Sequence, residues 1–312
     1  SALNTGIISG LTTTQVVGLT SSQAAALTSA QAAVLSTAQV AALEAHLGAK
    51  LLARSTRSLS LTSAGIAYLE RCREILNLVD AAETGLAGEG AEPRGTIRLS
   101  VPLSFGLRHL APLLLDFAVT FPEISVEVDF TDRRVKLVEE GLDLAIRITL
   151  RLDPLDVARR IGSSRLVVVA SPEYLRRHGE PTHPQELADR ECLIYLPAQQ
   201  GGWPFLVDGT LRTYPVSGRI RANNGDALLD ATIRGLGISA QPSFLVAPAL
   251  EAGWVRPILT DYPLPELGIY ALLPGNRYVP RRVRVLIDTL AERIGSRPYW
   301  EQGGHWPPAP PG

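Results

Sequence analysis

Two periodicities divide the chain. Up to residue 43, leucine recurs at 3, 11, 19, 27, 35 and 43, a strict period of eight. From about residue 95 onward, short alternating runs bounded by Gly and Pro take turns with stretches of helical spacing. The eight-residue period does not keep one stripe on a single helix, because the leucine line drifts by about 80° per copy. In the clear copies a hydroxyl precedes Gln by three, at Thr12/Gln15, Thr20/Gln23, Thr28/Gln31 and Ser36/Gln39, the spacing of a capping box. Several short helices, each restarted at a Thr or Ser, fit the repeat better than one long rod. Low-complexity disorder is the competing reading, because the segment has few bulky residues with which to bury a core.

Beyond the repeat, residues 40–47 read as a helix end stopped by Gly48. Residues 51–52 and 59–61 read as short strands, with Arg54-Ser55-Thr56-Arg57 as the hairpin tip between them. A helix then starts at Thr62 and runs to about Leu86, where Gly85, Gly88 and Gly90 end it. Residues 96–101, 124–130 and 142–148 alternate like strands. Pro102 starts a helix that passes through Phe117, and a short helix is predicted over 135–140, ended by Gly141. Strand and helix in alternation argue for an α/β fold with mainly parallel sheets and helices on both faces.

Charge sharpens this division. No Asp, Glu, Lys or Arg precedes Glu44; Lys50, Arg54 and Arg57 then arrive within eight residues, among Ser and Thr. The whole chain of 312 residues carries a formal net charge of −1, so nucleic-acid contact has to rest on that local basic patch. Arginines on a hairpin tip suit a minor groove, and hydroxyls suit phosphates. A solvated hairpin whose arginines contact nothing is the alternative. Cys72 and Cys192 lie far apart without metal-ligand spacing and read as buried free thiols of a reducing cytoplasm. The five histidines have no metal spacing, and neither a nucleophile elbow nor a nucleotide-binding glycine loop is present. The expectation is a non-enzyme with no cofactor and no metal. No apolar run reaches the length of a membrane span, and the first residues lack the basic and apolar regions of a signal peptide. Cytoplasmic location is therefore expected.

The stretch LEAHLGAKLLARSTRSLSLTSAGIAYLERCREIL resembles the second half of the winged helix-turn-helix of LysR-type transcriptional regulators: the end of the recognition helix, the wing and the start of a dimerising linker helix. The segments GTIRLSVPLSFG, HLAPLLLDFAVTFPEISVEV, LVEEGLDLAIRI, LVVVASPEYLRRHGEP, NNGDALLDATIRGLGI and VRVLIDTLAERI are similar to the effector domain of that family, which has two lobes like periplasmic solute-binding proteins. The resemblance implies a winged helix-turn-helix-like segment over 1–62 and a linker helix and hinge over 63–90. An effector-binding domain follows over 91–300, with lobe one at 91–165 and 269–300, lobe two at 166–268, and a flexible tail from 301. It implies double-stranded DNA and a small-molecule effector as partners, and a homodimer or homotetramer. DNA contacts fall on Lys50, Arg54, Ser55, Thr56 and Arg57. Ligands of open α/β sheets bind outside the carboxyl ends of strands, which points to Ser100, Ser104, Phe105, Arg147, Asn223 and Asn224 for the effector. The helix start at Ser104 suits a carboxylate or similar anion. Helix capping alone is the alternative for Ser104, Asn224 and Asp226, and a structural salt bridge the alternative for Arg147. The uncharged segment before Glu44 supports a second reading: a ligand-binding regulator-like protein whose DNA-binding head is impaired or absent.

Overall fold

The computed structural model describes residues 37–54, 59–69, 71–72, 75, 92–198, 201–275, 279–295 and 298–302. The octad repeat before residue 37, the tip residues Ser55, Thr56 and Arg57, and the far end of the linker helix lie outside the described residues. Helix α1 spans Thr37–Leu47 and stops at Gly48, whose φ of +64° is one a glycine adopts without a Cβ penalty. Strands β1 (Leu52–Arg54) and β2 (Leu59–Leu61) pair antiparallel, with Arg54 opposite Leu59. The following helix begins at residue 63 and is capped by Thr62: the Gly65 amide donates to the Thr62 hydroxyl oxygen at 3.0 Å. That hydroxyl donates to the Lys50 carbonyl at 2.5 Å, which ties the linker to the hairpin.

Downstream, the described strands form two five-stranded sheets. The first runs in the order β4 (Ile124–Phe130), β3 (Gly95–Val101), β5 (Leu144–Thr149), β14 (Leu267–Leu273) and β6 (Val157–Ser164). Strand β3 is parallel to β4 on one side and to β5 on the other, so the chain reverses its direction of travel across the sheet at the carboxyl end of β3. The second sheet runs β11 (Arg221–Ala222), β8 (Cys192–Tyr195), β12 (Ile238–Pro242), β7 (Leu166–Ala170) and β13 (Arg256–Pro257). Its reversal falls at the carboxyl end of β8, which is parallel to both β11 and β12. A β-hairpin, β9 (Trp203–Val207) and β10 (Thr210–Tyr214), turns tightly through Asp208-Gly209, both with positive φ.

Helix α2 follows β3 as one run of Leu103–Phe105, a π-type stretch Gly106–Leu110, and Ala111–Thr120. Pro112 has no amide hydrogen with which to continue the ladder, and the turn ahead of it widens so that the Ala111 amide reaches Gly106. Helices α3 (Pro172–His178) and α4 (Gly225–Ile233) follow β7 and β11. Helix α6 (Arg281–Ile294) buries Val283, Leu286, Ile287, Leu290 and Ile294, the three- and four-residue spacing of one helical face, against the first sheet. The main core does not stop at the lobe boundary. It continues from Ile97, Leu99 and Phe105 through Val167 and Val169 of β7 to Phe244 and Leu250 of α5 (Ser243–Glu251).

Four expectations need correction. The sheets are mixed rather than mainly parallel: in each, two neighbouring pairs are parallel and two antiparallel, because β14 returns against β5 and β6, and β7 runs against β12 and β13. Residues 137–141 make a turn rather than a helix over 135–140, because the Glu140 carboxylate takes the Lys136 amide and the Arg133 guanidinium and ties the segment into a compact loop. Residue 301 does not begin a free tail. Glu301 sits in the helical turn Tyr299–Glu301 and accepts from the Arg165 amide at 2.9 Å, the Arg165 guanidinium at 3.1 Å and the Ser243 hydroxyl, where the chain crosses between lobes. Of the two thiols, Cys192 is buried and Cys72 only partly so; both are free.

Candidate functional site

The hairpin is held by one carboxylate. Glu44, near the end of α1, accepts the Leu51 and Leu52 amides on Oε1 at 2.9 and 3.1 Å and the Lys50 ammonium on Oε2 at 2.7 Å. These donors, Lys50 first, hold its pKa at about 2. Gly65 packs against the same junction: a Cβ there would lie 2.1 Å from the Leu51 carbonyl oxygen. Lys50 is largely exposed, and Arg54 ends β1 at the hairpin's mouth. This places α1, the hairpin and the linker helix in a fixed relation through backbone contacts. Sequence reading took Glu44 as the first charge of the chain and as part of the stretch resembling the winged helix-turn-helix, without a structural role. Its role was legible in principle as an acid at a helix end followed by a tight reversal.

The second site lies between the two sheet reversals. Ser100, at the end of β3, is buried and accepts from the Arg147 guanidinium at 3.1 Å. Arg147 also donates to the carbonyls of Ile146 and Arg133, at 2.6 and 3.2 Å. Burial lowers its pKa, while Asp132 and Asp129 pull it back up. Its fixed contacts are thus a hydroxyl and two carbonyls. Ser104, in the first turn of α2, donates to Asp226 of helix α4, and Arg108 donates to the other oxygen of Asp226 at 2.5 Å. Asn224 caps α4 through the Ala227 amide at 3.2 Å, and its own amide reaches Ser104 at 3.4 Å and Asp132 at 3.5 Å. Asp132 accepts the Leu103 amide at 3.0 Å, so the start of α2 already holds a carboxylate of the protein. The capping alternative for Asn224 is therefore met, but Asn224, Ser104 and Asp226 also link the lobes.

Two of the expected effector residues stand apart from this cluster. Phe105 is fully buried, with its ring against His109, Phe244 and Trp300, and has no surface to offer a small molecule. It is a core residue, because the first turn of α2 points one side chain into the lobe junction. Asn223 is exposed, one residue ahead of the capping position. Arg108, Asp132 and Tyr195 were missed as site residues, and Asp226 was weighed against helix capping without being placed among the effector contacts. Tyr195 ends β8 at the second reversal; burial, with Asp132 nearby, pushes its hydroxyl up to about 12. The signal that could have found it is the topological rule already applied to Ser100. Among the described residues no group of His, Cys, Asp and Glu could hold a metal ion, and no helix is long and apolar enough to cross a membrane.

Comparison with known proteins bears on both sites. The LysR substrate binding domain matches residues 90–295, and the bacterial regulatory helix-turn-helix protein of the lysR family matches residues 16–66, which takes in much of the neutral repeat. An HTH-type transcriptional regulator of Xanthomonas campestris pv. campestris is 34% identical over 256 residues, covering 80% of this chain and 74% of its own. The regulator CrgA of Neisseria meningitidis is 31% identical in its solved structure, which covers 93% of this chain and 97% of its own with a TM-score of 0.58. Full-length AphB, a virulence activator of Vibrio cholerae, is 28% identical, covering 84% of this chain and 89% of its own with a TM-score of 0.57. Nothing in these matches favours a chain without a DNA-binding head. A helix-turn-helix match ahead of a two-lobed module, the latter covering most of the chain, makes this protein a member of the LysR family, a DNA-binding transcriptional regulator that responds to an effector.

Proposed function

We propose that the chain grips double-stranded DNA through its wing, with Lys50, Arg54, Ser55, Thr56 and Arg57 on phosphates and a groove, and reads a small organic acid in the interlobe cleft. The observation that carries the second half is the cross-lobe contact of Ser104 and Arg108 with Asp226. These donors, with the Leu103 amide on Asp132, are the groups an effector's acid would use. The protein's own carboxylates hold them in its absence. Binding then exchanges an internal contact between lobes for contacts to the effector. It thereby favours one lobe arrangement over another, which is the differential affinity that coupling to DNA requires.

A second copy of the chain covers α2, where Leu103, Leu107, Leu115 and Val119 are all exposed apolar residues. This fits a homodimer or homotetramer working in the cytoplasm. The DNA half is tested by mobility shift, with a duplex selected from a random-sequence pool, over a series of salt concentrations. Replacing Arg54 and Arg57 together by Ala is expected to weaken binding. The slope of log affinity on log salt should flatten by about 2, near 0.9 for each phosphate no longer neutralised. An unchanged slope removes the wing from the interface.

A further inference from the structure

Among the described residues, two buried side-chain donors have no protein hydrogen-bond partner: Gln241 Nε2 and Trp300 Nε1. Both belong to the lobe junction. Trp300 packs among the rings of Phe105, His109 and Phe244, and aromatic faces can receive an N–H weakly. Gln241 is the other case. It lies on β12 and is 1% exposed. Its neighbour on the same strand, Ser239, is satisfied by the Thr232 hydroxyl at 2.7 Å. A buried amide donor without an acceptor is disfavoured, and a leucine of similar size would avoid the cost.

The position of Gln241 supplies a reason for it. A Cβ on Gly225 would come 3.6 Å from the Gln241 side-chain oxygen and 2.7 Å from Leu245, so the carboxamide packs directly behind the first turn of α4. Gly225 stands between Asn224 and Asp226, the two residues that reach Ser104 across the cleft. The carboxamide that carries the unpaired donor thus packs behind the turn that makes the cross-lobe contact.

We propose that Gln241 is a specificity-determining contact for the effector, donating to a second acceptor oxygen beyond the acid group. This rests on the cleft reading above. When Asp226 releases Ser104 and Arg108, the effector enters between the first turns of α2 and α4. Its acid group takes Ser104 and Arg108; the turn at Gly225 draws aside with Asp226, and a hydroxyl, carbonyl or second carboxyl oxygen takes the uncovered Gln241. The effector class is accordingly a hydroxy, oxo or dicarboxylic acid. A simple monoacid of the same size leaves the buried donor unpaired and is rejected.

The test exposes the full-length chain and its variants to the sub-kilodalton fraction of a bacterial lysate and identifies the retained compounds by mass spectrometry. Wild type is expected to retain an organic acid with a second acceptor oxygen. Gln241→Leu should retain it about tenfold less or worse, while melting no lower than wild type, because it removes an unpaired donor. Gln241→Met, which keeps the length and carries no donor, should lose it too and guards against a folding failure of the first variant. Equal retention by wild type and both variants, retention only of acids without a second oxygen, or no retention at all overturns the proposal. The double variant Ser104→Ala/Arg108→Ala separates the two readings. If it retains the acid, the cleft reading falls as well; if it loses the acid while Gln241→Leu keeps it, only the role of Gln241 falls.

Discussion

Glu44 and Asp226 are both carboxylates that gather donors from neighbouring elements, and they serve opposite ends. Glu44 is buried and takes two backbone amides and an ammonium from residues six to eight positions away. Asp226 retains 36% side-chain exposure and takes its donors from residues 118 and 122 positions away, in the other lobe. The first closes a short loop that the backbone already favours, with no flexible partner on Oε1. The second joins two bodies through side chains that water or a ligand can replace. A regulator needs both: a head whose wing keeps its geometry, and a cleft whose closure is reversible.

The comparison breaks most sharply at Gly65. Gly65→Ala drives a Cβ into the Leu51 carbonyl, a backbone atom that cannot step aside, and should cost the head about 3 kcal/mol or more. Calorimetry is expected to show the head's transition lowered and the effector module's unchanged, with DNA affinity falling in parallel. Acid tests the same knot more gently. The Glu44 pKa is depressed from 4.5 to about 2, so its stabilising contribution is complete above pH 4.5 and is lost as pH falls towards 2. The head's thermal midpoint should drop across that window, and Glu44→Gln should start lower and lose most of the dependence. The effect shrinks at the cleft. Asp226→Asn should change global stability by no more than about 1 kcal/mol, as for other exposed charge pairs. It should still alter the scattering profile by loosening the lobes; an unaltered profile would show that Asp226 does not hold them.

Local pattern explains what the sequence made legible. Ile124–Phe130 and Gly95–Val101 alternate between clear stops, and each strand's own residues carry the signal. The helix stop at Gly48 and the cap at Thr62 are likewise decided within a few residues. The hairpin at Asp208-Gly209 carried a local signal of the same kind and was overlooked. The turn at 137–141 misled because a helical composition was outweighed by the Arg133–Glu140 pairing. The cleft was only half legible. Ser104 and Asn224 follow from strand ends and caps. Their meeting through Asp226, and the docking of Glu301 on Arg165, depend on residues more than a hundred positions apart, about which no local period speaks. Phe105 failed as a site residue for the same reason: its neighbours Phe244 and Trp300 come from distant segments.

Hydrogen exchange followed by mass spectrometry compares the two regions in one experiment. The Leu51 and Leu52 amides on Glu44 should be protected to the level of the head's global unfolding, while the Leu103 and Ala227 amides of the cleft should exchange through a local opening of lower free energy. Asp226→Asn should speed exchange at Leu103 and Ala227 and leave Leu51 and Leu52 untouched. Cleft amides as protected as the rest of the effector module, and unmoved by Asp226→Asn, would contradict a reversible contact between the lobes.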